Sequence, residues 1–379
     1  MKTQTTYLAS KPHYDILDGL RGVAAVIVII FHLLEAHAGG SHLNQIINHG
    51  YLAVDFFFML SGFVIGYAYD DRWNQMTVGT FFKRRLIRLQ PMVIMGSIVG
   101  AAFFYFQASD CFPNIAGTPV TTMLLVMLLG FTLLPLPLKW DIRGWTEMHP
   151  LNGPAWSLYY EYIGNILYAL FVRKFNKVAL TTLVVIAGCL TVHLCLTAPS
   201  GDIVGGWALN WEQQYVGIVR LLYPFFAGLL LSRLGWLIRI KKRAFWWCSL
   251  LIVVVLSIPR IGGEDGFWMN GLYEAFIIIC IFPIIVSMGA GGKVTGKRSV
   301  GVCKFLGDIS YPIYITHYPL VYTYTAWATT NNATIAEGAP YMILTFVGSF
   351  AVAYASLRLY DEPVRKWLTD RFLKKKKRA

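Results

Sequence analysis

Charge is scarce in this chain. Of its 379 residues only 14% are Asp, Glu, Lys or Arg, against roughly 25% in soluble globular domains. That shortage argues against a soluble protein. No polar stretch is long enough to form a separate soluble domain. The six cysteines (Cys111, Cys189, Cys195, Cys248, Cys280 and Cys303) are scattered, and none forms a CxxC pair. A disulfide framework or a zinc site is therefore disfavoured, and these side chains read as small apolar packing residues. No small-x-small cleavage site follows the first apolar run, 23–34, so it reads as a retained span and not a signal peptide. Acidic residues are outnumbered, 20 against 33 Lys plus Arg, for a net charge of +13. Binding to nucleic acid would need that basic excess spread over a polar surface. Here it sits in short clusters between apolar runs, the pattern of a polytopic membrane protein.

What the chain does have is apolar sequence: 56% of it is hydrophobic. Eleven candidate spans can be drawn, at 22–38, 50–69, 89–107, 119–138, 155–172, 178–196, 214–232, 244–259, 272–290, 309–329 and 341–360. The linkers near 39–48, 108–118, 197–213 and 330–340 hold no Lys or Arg, whereas 70–88, 173–177, 232–243, 292–304 and 361–379 hold 5, 3, 5, 4 and 8. The positive-inside rule places the second group in the cytoplasm. Eleven crossings would put Arg173, Lys174, Lys177 and the basic tail on the wrong side. The conflict disappears if 119–138, which ends in Pro135-Leu136-Pro137, does not cross fully. The expectation is an all-α, polytopic integral membrane helical bundle of about ten full spans. Residues 119–138 are partial or re-entrant, both termini are cytoplasmic, and 1–379 is a single transmembrane domain.

Charged groups at bilayer depth are costly, and so are functional suspects. The first span carries Asp18, Arg21, His32 and Glu35. Arg21 and His32 are eleven residues apart, which is about three turns and roughly 16 Å along one helix face. One face therefore joins an anion-binding group at the inner edge to an acid/base group deeper in. Asp55, early in the second span, is expected at the depth of His32, where a carboxylate orients an imidazole. The alternative is a pair that only satisfies itself. Ser157 and Glu161 share a face at i, i+4, just after Trp156, and a structural hydrogen bond is the alternative for Glu161. Arg84, Arg85 and Arg88 make a fork suited to phosphates. From charge alone, a lipid-headgroup anchor is the better reading. His317 falls near mid-membrane, and Arg220 is a third buried candidate. Glu274 and His193 are each explained by a polar contact to a neighbouring helix.

Several blocks then stand in order. They are Leu17-Asp18-Gly19-Leu20-Arg21-Gly22 with Phe31-His32, Val54-Asp55-Phe-Phe-Phe-Met-Leu-Ser61-Gly62, and Lys83-Arg84-Arg85-Leu-Ile-Arg88-Leu-Gln90-Pro91. Trp156-Ser157-Leu158 with Glu161, Ile309-Ser310-Tyr311-Pro-Ile-Tyr314-Ile-Thr-His317 and Leu359-Tyr360-Asp361-Glu362-Pro363 follow. Together they resemble the membrane-bound acyltransferase 3 family over nearly the whole chain. The resemblance implies transfer of an acyl group, most simply acetyl, from cytoplasmic acyl-coenzyme A to a hydroxyl of a cell-surface or exported glycan such as O-antigen or exopolysaccharide. Acyl-coenzyme A is then a co-substrate, no metal is implied, and the other partners are a glycan or lipid-linked carbohydrate and the lipid bilayer of a bacterial cytoplasmic (inner) membrane. A chain ending at Ala379 implies the form without an extra esterase-like domain. Two departures stand out. Gly164-Asn165 replace an aromatic pair, and Gln90 replaces an aromatic before Pro91.

The expected mechanism assigns Arg84, Arg85, Arg88 and Arg21 to the coenzyme A phosphates. His32 is the general base on the acceptor hydroxyl, or takes the acyl group itself, and Asp55 or Glu161 orients it. Arg220 or His317 places the acceptor or the thioester carbonyl. Trp156, Ser157, Ser310 and Tyr311 line the substrate site. The competing class is a secondary transporter or lipid flippase, in which the same buried groups would relay protons or substrate. It would need no acyl donor.

Overall fold

The computed structural model describes residue 11, residues 13–39 and residues 41–373. The basic run Lys374–Arg378 lies outside the described residues. Among the described residues fourteen α-helices follow in order. They are α1 (Asp15–Glu35), α2 (Ala53–Tyr69), α3 (Val78–Phe103), α4 (Val120–Gly130), α5 (Ala155–Leu170), α6 (Lys177–Thr197) and α7 (Trp211–Leu234). Then come α8 (Ala244–Ser257), α9 (Phe267–Phe276), α10 (Phe282–Gly291), α11 (Lys297–Thr316), α12 (Tyr318–Thr330), α13 (Ile335–Ser356) and α14 (Glu362–Phe372). Single π-helical turns, Ile277–Ile281 and Leu357–Asp361, join α9 to α10 and α13 to α14. No strand is formed among the described residues; the sole pairing there is one isolated bridge, Ser109 with Phe112. The chain is a polytopic helical membrane bundle. Among the described residues, seven helical stretches are long and apolar enough to cross a bilayer. Large apolar side chains such as Val185, Ile186, Ile343, Leu344 and Val347 remain exposed on α6 and α13, as a lipid-facing surface requires.

Hydrogen bonds sort the linkers into two groups. At one end Arg233 pairs with Asp70 at 2.7 Å, Lys11 with Asp71 at 2.8 Å, and Cys303 donates to the Asp15 carbonyl at 3.0 Å. These are the starts and ends of helices bordering the basic stretches. At the other end Arg260 pairs with Asp202 at 2.8 Å, Met148 N–H donates to the Trp207 carbonyl at 2.8 Å, and His37 meets the Ala333 carbonyl at 3.0 Å. Helix α4 has 11 residues, a rise of about 16 Å, against a hydrocarbon core of about 30 Å. By length alone it is too short to span that core. The helix stops at Gly130, before Pro135, and the chain turns through Leu133 at φ +61°. The following residues, 131–154, form an irregular cap on the end opposite the basic one.

Two helix pairs approach closely because small residues let them. A methyl group at Gly62 of α2 would overlap the Phe225 carbonyl of α7, and one at Gly228 of α7 would overlap the Met59 carbonyl of α2. Gly22 does the same for α1 against Leu306 of α11. The predicted single span 309–329 is instead two helices broken at His317. Pro319 has no N–H to give the Ile315 carbonyl, and Asn152 Nδ2 supplies it at 2.9 Å from the 131–154 cap. The break is thereby satisfied from outside the helix. The arginine block is not a linker either, since residues 83–88 form part of α3.

Candidate active site

A cavity of about 560 Å³ opens between α1, α2, α3, α5, α11 and the start of α14. One end is densely charged: Arg21, Arg88, Lys304 and Arg365 stand there with Asp15, Asp18, Asp308, Asp361 and Glu362, and Arg365 pairs with Asp361 at 3.1 Å. Asp18 accepts from Arg21 at 3.1 Å, and its carboxylate raises His13 above the ordinary imidazole range. Midway, Glu161 accepts from Arg85 Nη2 at 2.5 Å and from Ser61 Oγ at 2.7 Å. Ser310 and Tyr311 line the wall, with the Tyr311 hydroxyl donating to the Leu89 carbonyl at 2.8 Å. The inner end is closed by Val54, Phe57, Ser157 and Tyr314, and the last two share a hydrogen bond of 2.7 Å.

His32 stands beyond that wall. The Tyr314 ring is 6.1 Å from His317, and His317 stacks on His32 at 5.9 Å. His317 Nδ1 donates to the Ile313 and Tyr314 carbonyls at 3.0 and 2.9 Å, and its buried Nε2 has no hydrogen-bond partner. His32 Nδ1 lies 2.7 Å from Glu35 Oε2. A carboxylate there makes Nδ1 the donor and leaves Nε2 as the basic nitrogen. Tyr318 packs edge-on against His32 at 4.6 Å and against Tyr322 at 4.4 Å. Behind them the 131–154 cap buries Arg143 and Glu147, 3.6 Å apart. Burial outweighs Arg143 and the Tyr322 hydroxyl and pushes the Glu147 carboxyl up to about 7. Burial alone pushes His149 down to about 3.

The structure corrects two sequence assignments. Neither Asp55 nor Glu161 touches His32. Asp55 pairs with Arg220 at 2.7 Å, deep inside the bundle. That guanidinium also donates to the Tyr51 and Gly205 carbonyls at 2.8 and 3.2 Å, and lies 5.3 Å over the Trp156 ring. A buried cation takes the nearest carboxylate, so Asp55 serves Arg220, and Glu161 serves Arg85 for the same reason. Arg220 and Trp156 consequently stand apart from the cavity wall. Arg84 turns to a smaller neighbouring pocket shared with Arg88, Tyr14 and Tyr67. Glu35 was visible as a charged residue of the first span, and its i, i+3 spacing to His32 is the signal that identifies it. Lys304 and Arg365 had no such signal, because the folding of α11 and α14 over α1 and α3 brings them to the cavity; Tyr314 stood in the block that ends at His317. Gly164 leaves room for the Phe225 ring, and Gln90 ties α3 to the Phe131 carbonyl, so both departures from the family pattern are packed. Glu274 takes the polar contact expected of it, accepting from Tyr51.

The bundle thus sets a charged cavity beside a histidine–carboxylate pair. The acyltransferase 3 family model, described as an acyltransferase domain, matches residues 14–354, and the chain belongs to that family. Among similar proteins, Protein 2 in the picA locus of Rhizobium radiobacter is 32% identical over 41% of this chain and 81% of its own length. Peptidoglycan O-acetyltransferase OatA of Listeria monocytogenes is 24% identical over 97% of this chain, which spans 58% of that relative's length. Acyltransferase MdmB of Streptomyces mycarofaciens is 26% identical over 80% of this chain and 78% of its own length. No solved structure matches.

Proposed function

We propose that the protein transfers an acyl group, most simply acetyl, from acyl-coenzyme A on the cytoplasmic side to a hydroxyl of a cell-surface or exported glycan. The observation that carries this reading is the cavity: it holds Arg21, Arg88, Lys304 and Arg365 among carboxylates at one end and is bounded at the other by Ser157 and Tyr314, with His317 and His32 behind. The nucleotide phosphates sit among Arg21, Arg88, Lys304 and Arg365, and the pantetheine arm runs past Glu161 toward Tyr314. The acceptor arrives from the opposite end, beneath the 131–154 cap, so neither substrate crosses the membrane. His32 Nε2 removes the hydroxyl proton as the oxygen attacks the thioester carbonyl. The carbon–sulfur bond breaks, and the proton passes from His32 to the departing thiolate. Glu35 holds the ring and offsets its transient charge. For the acyl carbon to reach His32, the Tyr314–Ser157 contact opens.

The test uses inverted membrane vesicles supplied with radiolabelled acetyl-coenzyme A, with label counted in glycan. His32→Ala should abolish incorporation while the protein remains in the membrane, and wild-type incorporation would refute the assignment. A transporter reading predicts no donor consumption at all. Ten crossings with both termini in the cytoplasm of a bacterial inner membrane place Lys139 and Lys174 on opposite sides. Cysteines introduced at the two positions and labelled from the same side would refute that topology.

A further inference from the structure

Five ionisable groups form a single file that ends on His32. Glu35 Oε2 lies 2.7 Å from His32 Nδ1, and Glu35 Oε1 lies 3.3 Å from His42 Nε2. His42 Nδ1 faces Asp202 Oδ2 at 3.6 Å, and Asp202 pairs with Arg260 Nη1 at 2.8 Å. The file is built from α1, the turn His42–Asn44 and the linkers 198–210 and 258–266. Ser200 Oγ and the Val204 N–H hold the other Asp202 oxygen at 3.0 and 3.3 Å. The Phe31 and Tyr51 rings each lie 6.0 Å from the His42 ring.

We propose that His42 is a positioning residue for acyl transfer: clamped between Glu35 and Asp202, it fixes the Glu35 carboxylate against His32 and supplies the positive charge that balances it. This rests on the reading of His32 as the base. Glu35 lies within hydrogen-bond distance of Nε2 and Asp202 at ion-pair distance from Nδ1, and two carboxylates flanking one ring favour the imidazolium. Burial opposes that form, but Asp202 and Glu35 outweigh it and raise His42 to about 9. Asp202 in turn stays below the usual carboxylate range, because His42 and Arg260 outweigh its burial. The groups facing His42 are Glu35, with His32 behind it, Asp202, with Arg260 behind it, and Tyr51, whose hydroxyl goes to Glu274. Glu35 and Asp202 against His42 and Arg260 make a neutral file. Without the His42 charge the file is negative, and a negative file holds a proton on the neighbouring imidazole, which disarms a base.

The experiment is the pH profile of acetyl transfer in the same vesicles, for wild type, His42→Gln, His42→Arg and His32→Ala. His42→Gln should lower kcat about 10- to 100-fold at neutral pH. It should move the acid limb up by about one pH unit and leave KM for acetyl-coenzyme A unchanged. His42→Arg, which keeps the charge, should restore the limb. A wild-type rate and limb in His42→Gln, or a rate loss with no limb shift, overturns the proposal. His32→Ala separates the two ideas. If it is inactive while His42→Gln is normal, only the role of His42 falls; if it is active, the base assignment falls. Should His42→Gln not accumulate, Asp202→Asn replaces it: a lower kcat at unchanged KM supports the file, and a wild-type kcat overturns it.

Discussion

Replacing Glu35 by Gln isolates one charge at the centre of the site. The carboxylate sits 2.7 Å from His32 Nδ1, with side-chain exposures of 19% for His32 and 30% for Glu35. Glutamine keeps the shape, and its carbonyl can still accept from Nδ1, so the ring stays in place and only the charge goes. A hydrogen bond to a charged group contributes about 1.5–3 kcal/mol. Its worth is greatest when the imidazole is cationic, which in the proposed reaction is the moment of hydroxyl attack. The loss therefore falls on kcat. At about 1.4 kcal/mol per tenfold, kcat drops about 10- to 150-fold. KM for acetyl-coenzyme A should hold, because Glu35 does not line the donor cavity. If the amide instead turns its NH2 toward Nδ1, the tautomer reverses and the loss is larger, toward the roughly 10⁴-fold seen when a Ser-His-Asp site is set in the wrong tautomer. The assay is label incorporation by inverted vesicles at saturating donor, normalised to the protein present. A Glu35→Gln variant with more than half the wild-type kcat would refute the orienting role and, with it, the tautomer assigned to His32.

Asp55→Asn should cost about 3–5 kcal/mol of stability, because it leaves Arg220 buried without its carboxylate. The readout is loss of folded protein in a detergent melt, and Asp55→Leu with Arg220→Met should recover most of it. Arg88→Ala should raise KM for acetyl-coenzyme A about tenfold and flatten its salt dependence, with protein abundance unchanged; unchanged KM would return the arginine block to a lipid-anchoring role. Glu147 keeps its proton up to about pH 7 when folded against 4.5 for an ordinary carboxyl. The native state binds more protons between those values, so stability falls as pH rises through that window. Glu147→Gln removes this dependence, and its melting temperature relative to wild type should climb between pH 5 and pH 8, by the equivalent of at most about 3 kcal/mol.

The class of fold was legible because bilayer crossing imposes long apolar runs and one-sided basic linkers, both of which are local sequence properties. Helix ends were less so. The first span extends back to Asp15 and the third to Val78, since polar residues at a membrane surface remain helical where hydropathy has already fallen. Arg21, Arg85, Arg88, Ser157, Ser310 and Tyr311 line one cavity. What failed was pairing. Asp55 was expected at the depth of His32, but depth does not say which face of a helix points where. Arg220, the tenth residue of α7, claimed Asp55, and the contact came from the Gly62–Gly228 approach of α2 to α7. Pairing across helices depends on such packing, whereas His32 with Glu35 lies within one helix and could be read from spacing.

The break at His317 draws the site's parts into one argument. An unbroken helix through 309–329 would have turned His317 into an ordinary helical side chain with a satisfied backbone above it. Pro319 removes one donor, Asn152 restores it from the cap, and the cap thereby fastens onto the wall that separates the donor cavity from His32. The same cap sets Glu147 against Tyr322 of α12, whose ring packs on Tyr318, and Tyr318 packs on His32. In the proposed reaction the opening of Tyr314 from Ser157 would thus be felt, through α11 and the Asn152 bond, by the cap beneath which the acceptor is proposed to enter.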